Sequence, residues 1–216
     1  MERELRKAIE LSPSYAFAHH WLGLYLSMCG RSDEAIAALM TAQMLDPLSA
    51  VQHGALGNAY QAAGQADLAL AEYNMEFALG EDNRVLRACR GDIYLQQGRL
   101  DLAQADFEKA RELAGSFDPE VELSLALVRE VKGDGRAIEA SLNMVLEHAV
   151  TEPVSPYLVA LFYFALGRNE EGFELLERAY AERDREILSM KTDSHLASVR
   201  SDPRYANLLE RLGLPD

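Results

Sequence analysis

The residues able to do acid–base, nucleophilic or metal chemistry are few, and none stands in the pattern that such chemistry needs. Five histidines are present, at positions 19, 20, 53, 148 and 195, together with two cysteines, Cys29 and Cys89. A zinc site on a helix needs two imidazoles about one turn apart, or thiolate pairs a few residues apart. His20, His148 and His195 are scattered, with no HExxH and no thiolate partner. His19 and His53 are 34 residues apart in matching surroundings, which makes them packing residues of a repeat and not a metal pair. The adjacent carboxylates Glu81-Asp82 and Glu170-Glu171 read as solvated turns or helix starts, where acid complements the positive end of the helix dipole. There is no GxGxxG, GxxxxGK[ST] or GxSxG. No catalytic residue, no cofactor and no metal ligand is therefore expected. The two cysteines lie inside predicted helices; they suit buried small apolar side chains and are too few for a disulfide framework.

The elements that position these residues follow from a 34-residue period. Shifting the sequence by 34 superimposes Gly23, Gly57 and Gly91; Gly30, Gly64 and Gly98; Ala35, Ala69 and Ala103; and Leu39, Tyr73 and Phe107. Two helices folded back on each other approach closely only where a side chain is nearly absent. The first glycine column and the alanine column supply such notches, and the large column fills the space beside them. The second glycine column falls where a first helix must end in the left-handed conformation. Asp33, Asp67 and Asp101 follow three residues later, at the positive end of the second helix. Pro47 stops that helix, and Ser49 and Asn83 are suited to cap the next.

A 34-residue unit with Leu-Gly in its first half and Ala-x3-aromatic in its second resembles the tetratricopeptide repeat family, through Leu22-Gly23, Leu56-Gly57 with Tyr60, and Gly91 with Tyr94. The resemblance implies an all-α, right-handed solenoid of antiparallel helix pairs. The expectation is one superhelical domain over 1–216. It comprises a half-repeat at 1–12, five repeats at 14–47, 48–82, 83–117, 118–152 and 153–184, and a C-terminal cap at 185–216.

The half-repeat matches a second helix without its first: Leu5 falls in the Leu39 column, Ala8 with Ala42 and Pro13 with Pro47. Either further repeats precede it or another chain covers its open face. At the next junctions Glu76 replaces the alanine of positions 42 and 110, and Arg90 replaces the leucine of positions 22 and 56, so an ion pair between Glu76 and Arg90 is expected, or else separate snorkelling to water. The fourth repeat opens on Asp118-Pro119 and slips by one residue, Gly133 coming 35 after Gly98. Its second helix, about 136–148, is expected to pack least regularly. Ala126 and Ala160 take the notch in the last two repeats, and Gly172 replaces the alanine of the second helix. Asp202-Pro203 starts a final helix that Gly213 and Pro215 end.

The fifth repeat and tail, ALGRNEEGFELLERAYAERD with LASVRSDPRYANLLERLGLP, are similar to the C-terminal ends of tetratricopeptide regions in bacterial multidomain regulators, where such regions stand behind a winged-helix, kinase or cyclase domain. In the family, ligands lie in the concave groove lined by the first helices. The resemblance thus implies a partner-binding groove formed by Phe17, His20, Trp21, Leu24, Ser27, Asn58, Gln61, Asp92 and Leu95, with Val51, Gly54, Ala55, Val85, Ala88 and Cys89 at equivalent positions. Aromatic Phe17 and Trp21 suit a peptide or protein partner, unless the half-repeat or an upstream segment covers them. Chaperone-binding members clamp a terminal carboxylate with two lysines, an arginine and two asparagines. Here those positions hold His20, Leu24, Ala55, Val85 and Cys89, so that ligand is not expected.

The formal charge of −14 disfavours nucleic acid, whose phosphates a reader must neutralise; it favours a basic partner or serves solubility alone. No apolar run spans a bilayer and the opening MERELRKAIEL is no signal peptide, so a cytoplasmic location away from membranes is expected. The sequence therefore points to a non-catalytic scaffold for protein–protein interaction, the sensing or assembly region of a bacterial regulator. The alternative is a self-association module that forms a homodimer through its N-terminal half-repeat.

Overall fold

The structure, a computed structural model, describes residues 1–80 and 82–214. Glu81 and Pro215, singled out above, lie outside the described residues. Those described form α-helices and short 3-10 helices, with no strand among them. The chain divides into two compact units, Met1–Leu113 and Ala114–Asp216. The first begins with α1 (Glu2–Leu11) and continues as three pairs: α2 (Ala16–Met28) with α3 (Ser32–Leu45), α4 (Ala50–Ala62) with α5 (Ala66–Leu79), and α6 (Arg84–Gln96) with α7 (Leu100–Ala114). The second holds α8 (Pro119–Val131) with α9 (Ala137–His148) and α10 (Pro156–Ala165) with α11 (Asn169–Glu182). It ends in 3-10 helices at Glu186–Ser189 and Ser194–Val199 and in α12 (Pro203–Leu212). The expected all-helical architecture of antiparallel pairs is the one adopted.

The columns do what packing requires of them. A Cβ added at Gly57 would stand 2.5 Å from the Tyr73 ring and one at Gly91 2.6 Å from Phe107, while at Gly23 it would overlap Leu39. Ala35, Ala69 and Ala103 are completely buried beside them. In the last pair the notch moves to the other helix. Ala160 carries a Cβ on α10, and Gly172 on α11 lies against Phe164, 2.5 Å from where its own Cβ would be. Bulk and absence of bulk have changed sides while the helices stay close.

Each first helix of these pairs ends by one device. Gly30, Gly64, Gly98 and Gly167 take φ of 73°, 73°, 70° and 71°, and Gly133 takes 104°. The next residue's N–H then reaches back to a carbonyl of the last turn, as Gln65 does to Tyr60 at 2.8 Å and Arg168 to Tyr163 at 2.8 Å. Asn83, Asp118, Ser155 and Asp202 cap the helices that follow them with their side chains. Ser49 occupies the N-cap position of α4 without a side-chain capping bond.

Two expectations are corrected. Arg90 does not pair with Glu76: it donates to Asp106 at 2.6 and 2.7 Å and to Asn74 at 2.5 Å. Glu76 is buried instead, fitted against the bare backbone of Gly54, and its Oε2 has no hydrogen-bond partner among the described residues. Asp106 wins the arginine because it stands on α7, the partner helix of α6, where the guanidinium is aimed. Cys29 is exposed and not buried, because it is the C-cap residue of α2, beyond the packed turns; Cys89 is half-buried in α6.

Beyond α11 the period is lost but not the core. Ile187, Met190, Leu196, Val199, Tyr205 and Leu208 join the buried cluster of α10 and α11. Tyr205 donates its hydroxyl to the Met190 carbonyl at 2.8 Å, and Tyr157 on α10 donates to Asp193 at 2.6 Å.

Candidate functional site

In the first unit the first helices α2, α4 and α6 lie side by side. A column of apolar residues near the start of these helices is open to solvent: Phe17, Val51 and Val85 are 55%, 63% and 51% exposed. Exposed apolar side chains at one position of three successive helices form a stripe across the row, unlike a scatter of single apolar residues, which needs no explanation. At its α2 end the stripe broadens into an aromatic wall. Trp21, 45% exposed, meets Phe17 edge-on with ring centroids 5.7 Å apart, and Tyr15 lies 6.0 Å from Phe17 on the other side.

The polar candidates divide between floor and surface. His20 is buried, and its Nδ1–H donates to Gln52 Oε1 at 2.9 Å, tying α2 to α4 beneath the edge of Trp21. Gln61 is half-buried and Asn58 exposed; their amide oxygens both face the Tyr73 hydroxyl, at 2.6 and 2.7 Å. Burial pushes the Tyr73 phenol well above its ordinary pKa, so it stays a hydroxyl donor. Gln61 Nε2 also reaches the Cys89 carbonyl on α6 at 3.5 Å. Hydrogen bonds therefore brace α2 to α4 and α4 to α6 from within, which holds the stripe rigid. Leu24, Ser27, Ala88, Cys89, Asp92 and Leu95 are half-buried, and Gly54 and Ala55 are buried in the row.

The structure thus brings Phe17, Trp21 and His20 into one cluster and joins Asn58 to Gln61 through Tyr73. Tyr15 and Gln52 were missed by sequence reasoning. Gln52 carried a signal, being the one polar member of a column whose others are Ala18 and Leu86. Tyr15 lies just before α2, at the N-cap position that Ser49 and Asn83 hold in the next repeats, where alignment suggests a cap and not a ring contact. His19 and His53, read as packing residues, each place Nε2 against a proline carbonyl six residues earlier, Pro13 at 2.9 Å and Pro47 at 3.3 Å. Among the described residues no three His, Cys, Asp or Glu side chains are arranged to hold a metal ion, and no helix is long and apolar enough to cross a membrane. The surface can grip by apolar contact and by amide and hydroxyl groups at its floor.

Comparison with known proteins gives two matches to tetratricopeptide repeat profiles, over residues 4–37 and 90–117. The first begins within α1 and runs through α2 into α3. No curated protein matches the chain. Among solved structures, a tetratricopeptide repeat protein from Parabacteroides merdae is similar with a TM-score of 0.67 and 19% identity, over 98% of this chain and 84% of the other. MamA protein is similar at 0.62 and 22% identity, over 71% and 85%. YrrB, described as a tetratricopeptide protein with an unusual peptide-binding site, is similar at 0.58 and 19% identity, over 89% and 98%. At such identities the likeness is one of fold. Taken with the two matched segments and the columns that nest one helix in the next, it shows an α-solenoid of helix pairs similar to tetratricopeptide repeats.

Proposed function

We propose that the row formed by α2, α4 and α6 binds a peptide or protein segment, and that the chain serves as a non-catalytic interaction scaffold. The observation that carries this reading is the exposed stripe of Phe17, Val51 and Val85 running into Trp21, on helices braced from below. Rigid exposed aromatics lose little conformational entropy on binding and bury much area, which is what interface anchors do. The peptide-binding site described for YrrB, a neighbour in fold, is in keeping with it. The likeness of the tail to regulator C-termini extends the reading to the sensing or assembly region of a cytoplasmic bacterial regulator.

Trp21 is the single tryptophan of the chain and sits in the site, so its fluorescence reports occupancy directly. Peptides selected from a random library against the wild-type protein should shift Trp21 emission to the blue. They should lose at least tenfold in affinity to F17A, a change of about 1.4 kcal/mol or more. Selected peptides that bind F17A as well as wild type and leave Trp21 emission unmoved would place the binding surface elsewhere.

A second reading, self-association through α1, has its own observation: no residue of α1 is buried, and Met1 and Leu11 are 71% and 79% exposed. Light scattering decides it. A dimer of the wild type that is lost on Leu11→Glu supports the reading, and a monomer at all concentrations ends it.

A further inference from the structure

Three repeat columns meet on the side of the first helices away from the aromatic stripe. They are positions 19, 53 and 87 on the first helices, 38, 72 and 106 on the second helices of the same repeats, and 9, 43 and 77 on the second helices of the preceding ones. At the junction of α3, α4 and α5 the three are His53, Glu72 and Gln43. His53 Nδ1 lies 2.6 Å from Glu72 Oε2, and Gln43 donates to the same carboxylate at 2.8 Å. At the junction of α5, α6 and α7 they are Arg87, Asp106 and Phe77. Arg87 donates to Asp106 at 2.8 Å while its guanidinium stacks 4.4 Å from the Phe77 ring centroid. Both junctions use one clasp: a basic side chain from the first helix holds a carboxylate from the second, beside a planar side chain from the helix before.

At the junction of α1, α2 and α3 the same columns hold His19, Ala38 and Ile9. The histidine is present and its carboxylate is not. Where the carboxylate would lie there is a cleft of about 440 Å³, whose walls include Ile9, His19, Leu22, Leu26 and Ala38. His19 is anchored as His53 is: Nε2–H donates to the Pro13 carbonyl at 2.9 Å, which leaves Nδ1 as the nitrogen that corresponds to the one His53 turns to Glu72.

We propose that this cleft binds a carboxylate on a short aliphatic stem, the glutamyl side chain of a partner polypeptide, which completes at the first junction the clasp the chain makes for itself at the next two. Leu22, Leu26 and Ile9 give the methylene stem apolar walls, and His19 Nδ1 takes the carboxylate. With Nε2–H committed to the Pro13 carbonyl, a hydrogen bond from Nδ1 to a carboxylate needs a proton on both ring nitrogens. The other charged groups lining the cleft are Arg6 and Glu10 from α1 and Glu34 from α3. Arg6 pairs with Glu2 at 2.8 Å and with Glu34 at 3.2 Å, and Arg31 pairs with Glu2 at 2.9 Å and Glu34 at 2.7 Å, a set of four with no net charge. Glu10 is the remaining like charge, and it is exposed to solvent.

The test is an NMR titration of the His19 ring signals with N-acetyl-glutamate N-methylamide, run beside the glutamine analogue. The glutamate probe should move the His19 ring signals saturably. The glutamine analogue should move nothing. In A38E, whose own carboxylate would fill the cleft, the probe should have no effect, and the melting midpoint should rise by about 2 °C over A38Q. Equal responses to the two analogues, an unmoved His19, or A38E no more stable than A38Q would overturn the proposal. Because F17A lies on the other side of α2, it leaves the response of His19 unchanged, so this site and the aromatic stripe fail or stand separately.

Discussion

Asp106 holds two guanidinium groups at once, Arg87 at 2.8 Å and Arg90 at 2.6 Å, and both stack on Phe77. The carboxylate is nearly sealed, 4% exposed at its side chain, and the arginines are 20% and 14% exposed. Asp106→Ala therefore leaves two largely buried cations facing each other across a gap, with Asp82, Asn74 and the Phe77 and Tyr94 rings as their remaining contacts among the described residues. The expected loss is about 3 kcal/mol in urea denaturation, at the lower end for a broken buried pair because those contacts survive; a loss under about 1 kcal/mol would mean the arginines turn to water instead. Glu76 presents the opposite case, a carboxylate with no ion pair among the described residues. Burial raises its pKa, against the attraction of His53. A carboxyl that holds its proton more tightly when folded destabilises the fold as pH rises through the unfolded value. Glu76→Gln should then stabilise the protein by about 1–2 kcal/mol at pH 7 and by nearly nothing at pH 3, where both states are protonated. A gain that is the same at both pH values would refute the account. The sequence showed that 76 and 90 break the pattern, but not which residues they meet. An acidic residue at 106, in the column of Ala38 and Glu72, was the signal for the partner of Arg90, and nothing in the pattern marked the fit of Glu76 against Gly54.

At the scale of elements, the helices of the repeats were legible because three copies of one constraint overlie each other. A glycine needed for a positive φ, a notch needed for close approach and a cap needed for bare N–H groups each recur at a fixed place. The tail has no second copy to compare with, and its 3-10 helices were not foreseen for that reason. They are held by particular bonds. Asp193 caps the second of them, takes the His195 ring at 2.9 Å and accepts the Tyr157 hydroxyl at 2.6 Å, with Tyr157 only 1% exposed. Tyr157→Phe keeps the ring and removes the donor, so one oxygen of a mostly buried carboxylate is left without it. The expected loss is about 1–3 kcal/mol, measured by thermal or urea unfolding. Hydrogen exchange should locate the weakening in Glu186–Val199 and α12, and uniform weakening over the first unit would speak against this role. The candidate site was legible in the same uneven way. Phe17 and Trp21 could be assigned to the groove by column, but their exposure depends on what α1 covers, just as the burial of His20 depends on Gln52, one helix away.

For the whole molecule the governing quantity is a formal charge of −14, with acidic residues outnumbering basic ones in both units. Solenoids also read nucleic acid, and they do so by lining a face with lysine and arginine that displace counterions from phosphate. Several exposed arginines here are already engaged: Arg31 with Glu34, Arg168 with Glu171, Arg204 with Asp202 and Glu170, and Arg211 with Glu177. A phosphate would have to break those pairs and then enter a field of its own sign, a repulsion that low salt strengthens. Labelled single-stranded RNA of about 20 nucleotides should accordingly show no anisotropy change with protein up to about 10 μM, even at 50 mM salt where counterion release favours binding most. A dissociation constant below about 10 μM that weakens steeply with salt would require a basic face assembled from arginines released by their carboxylates. In that case the scaffold reading would need revision at its electrostatic premise, while the packing that nests one helix in the next would stand.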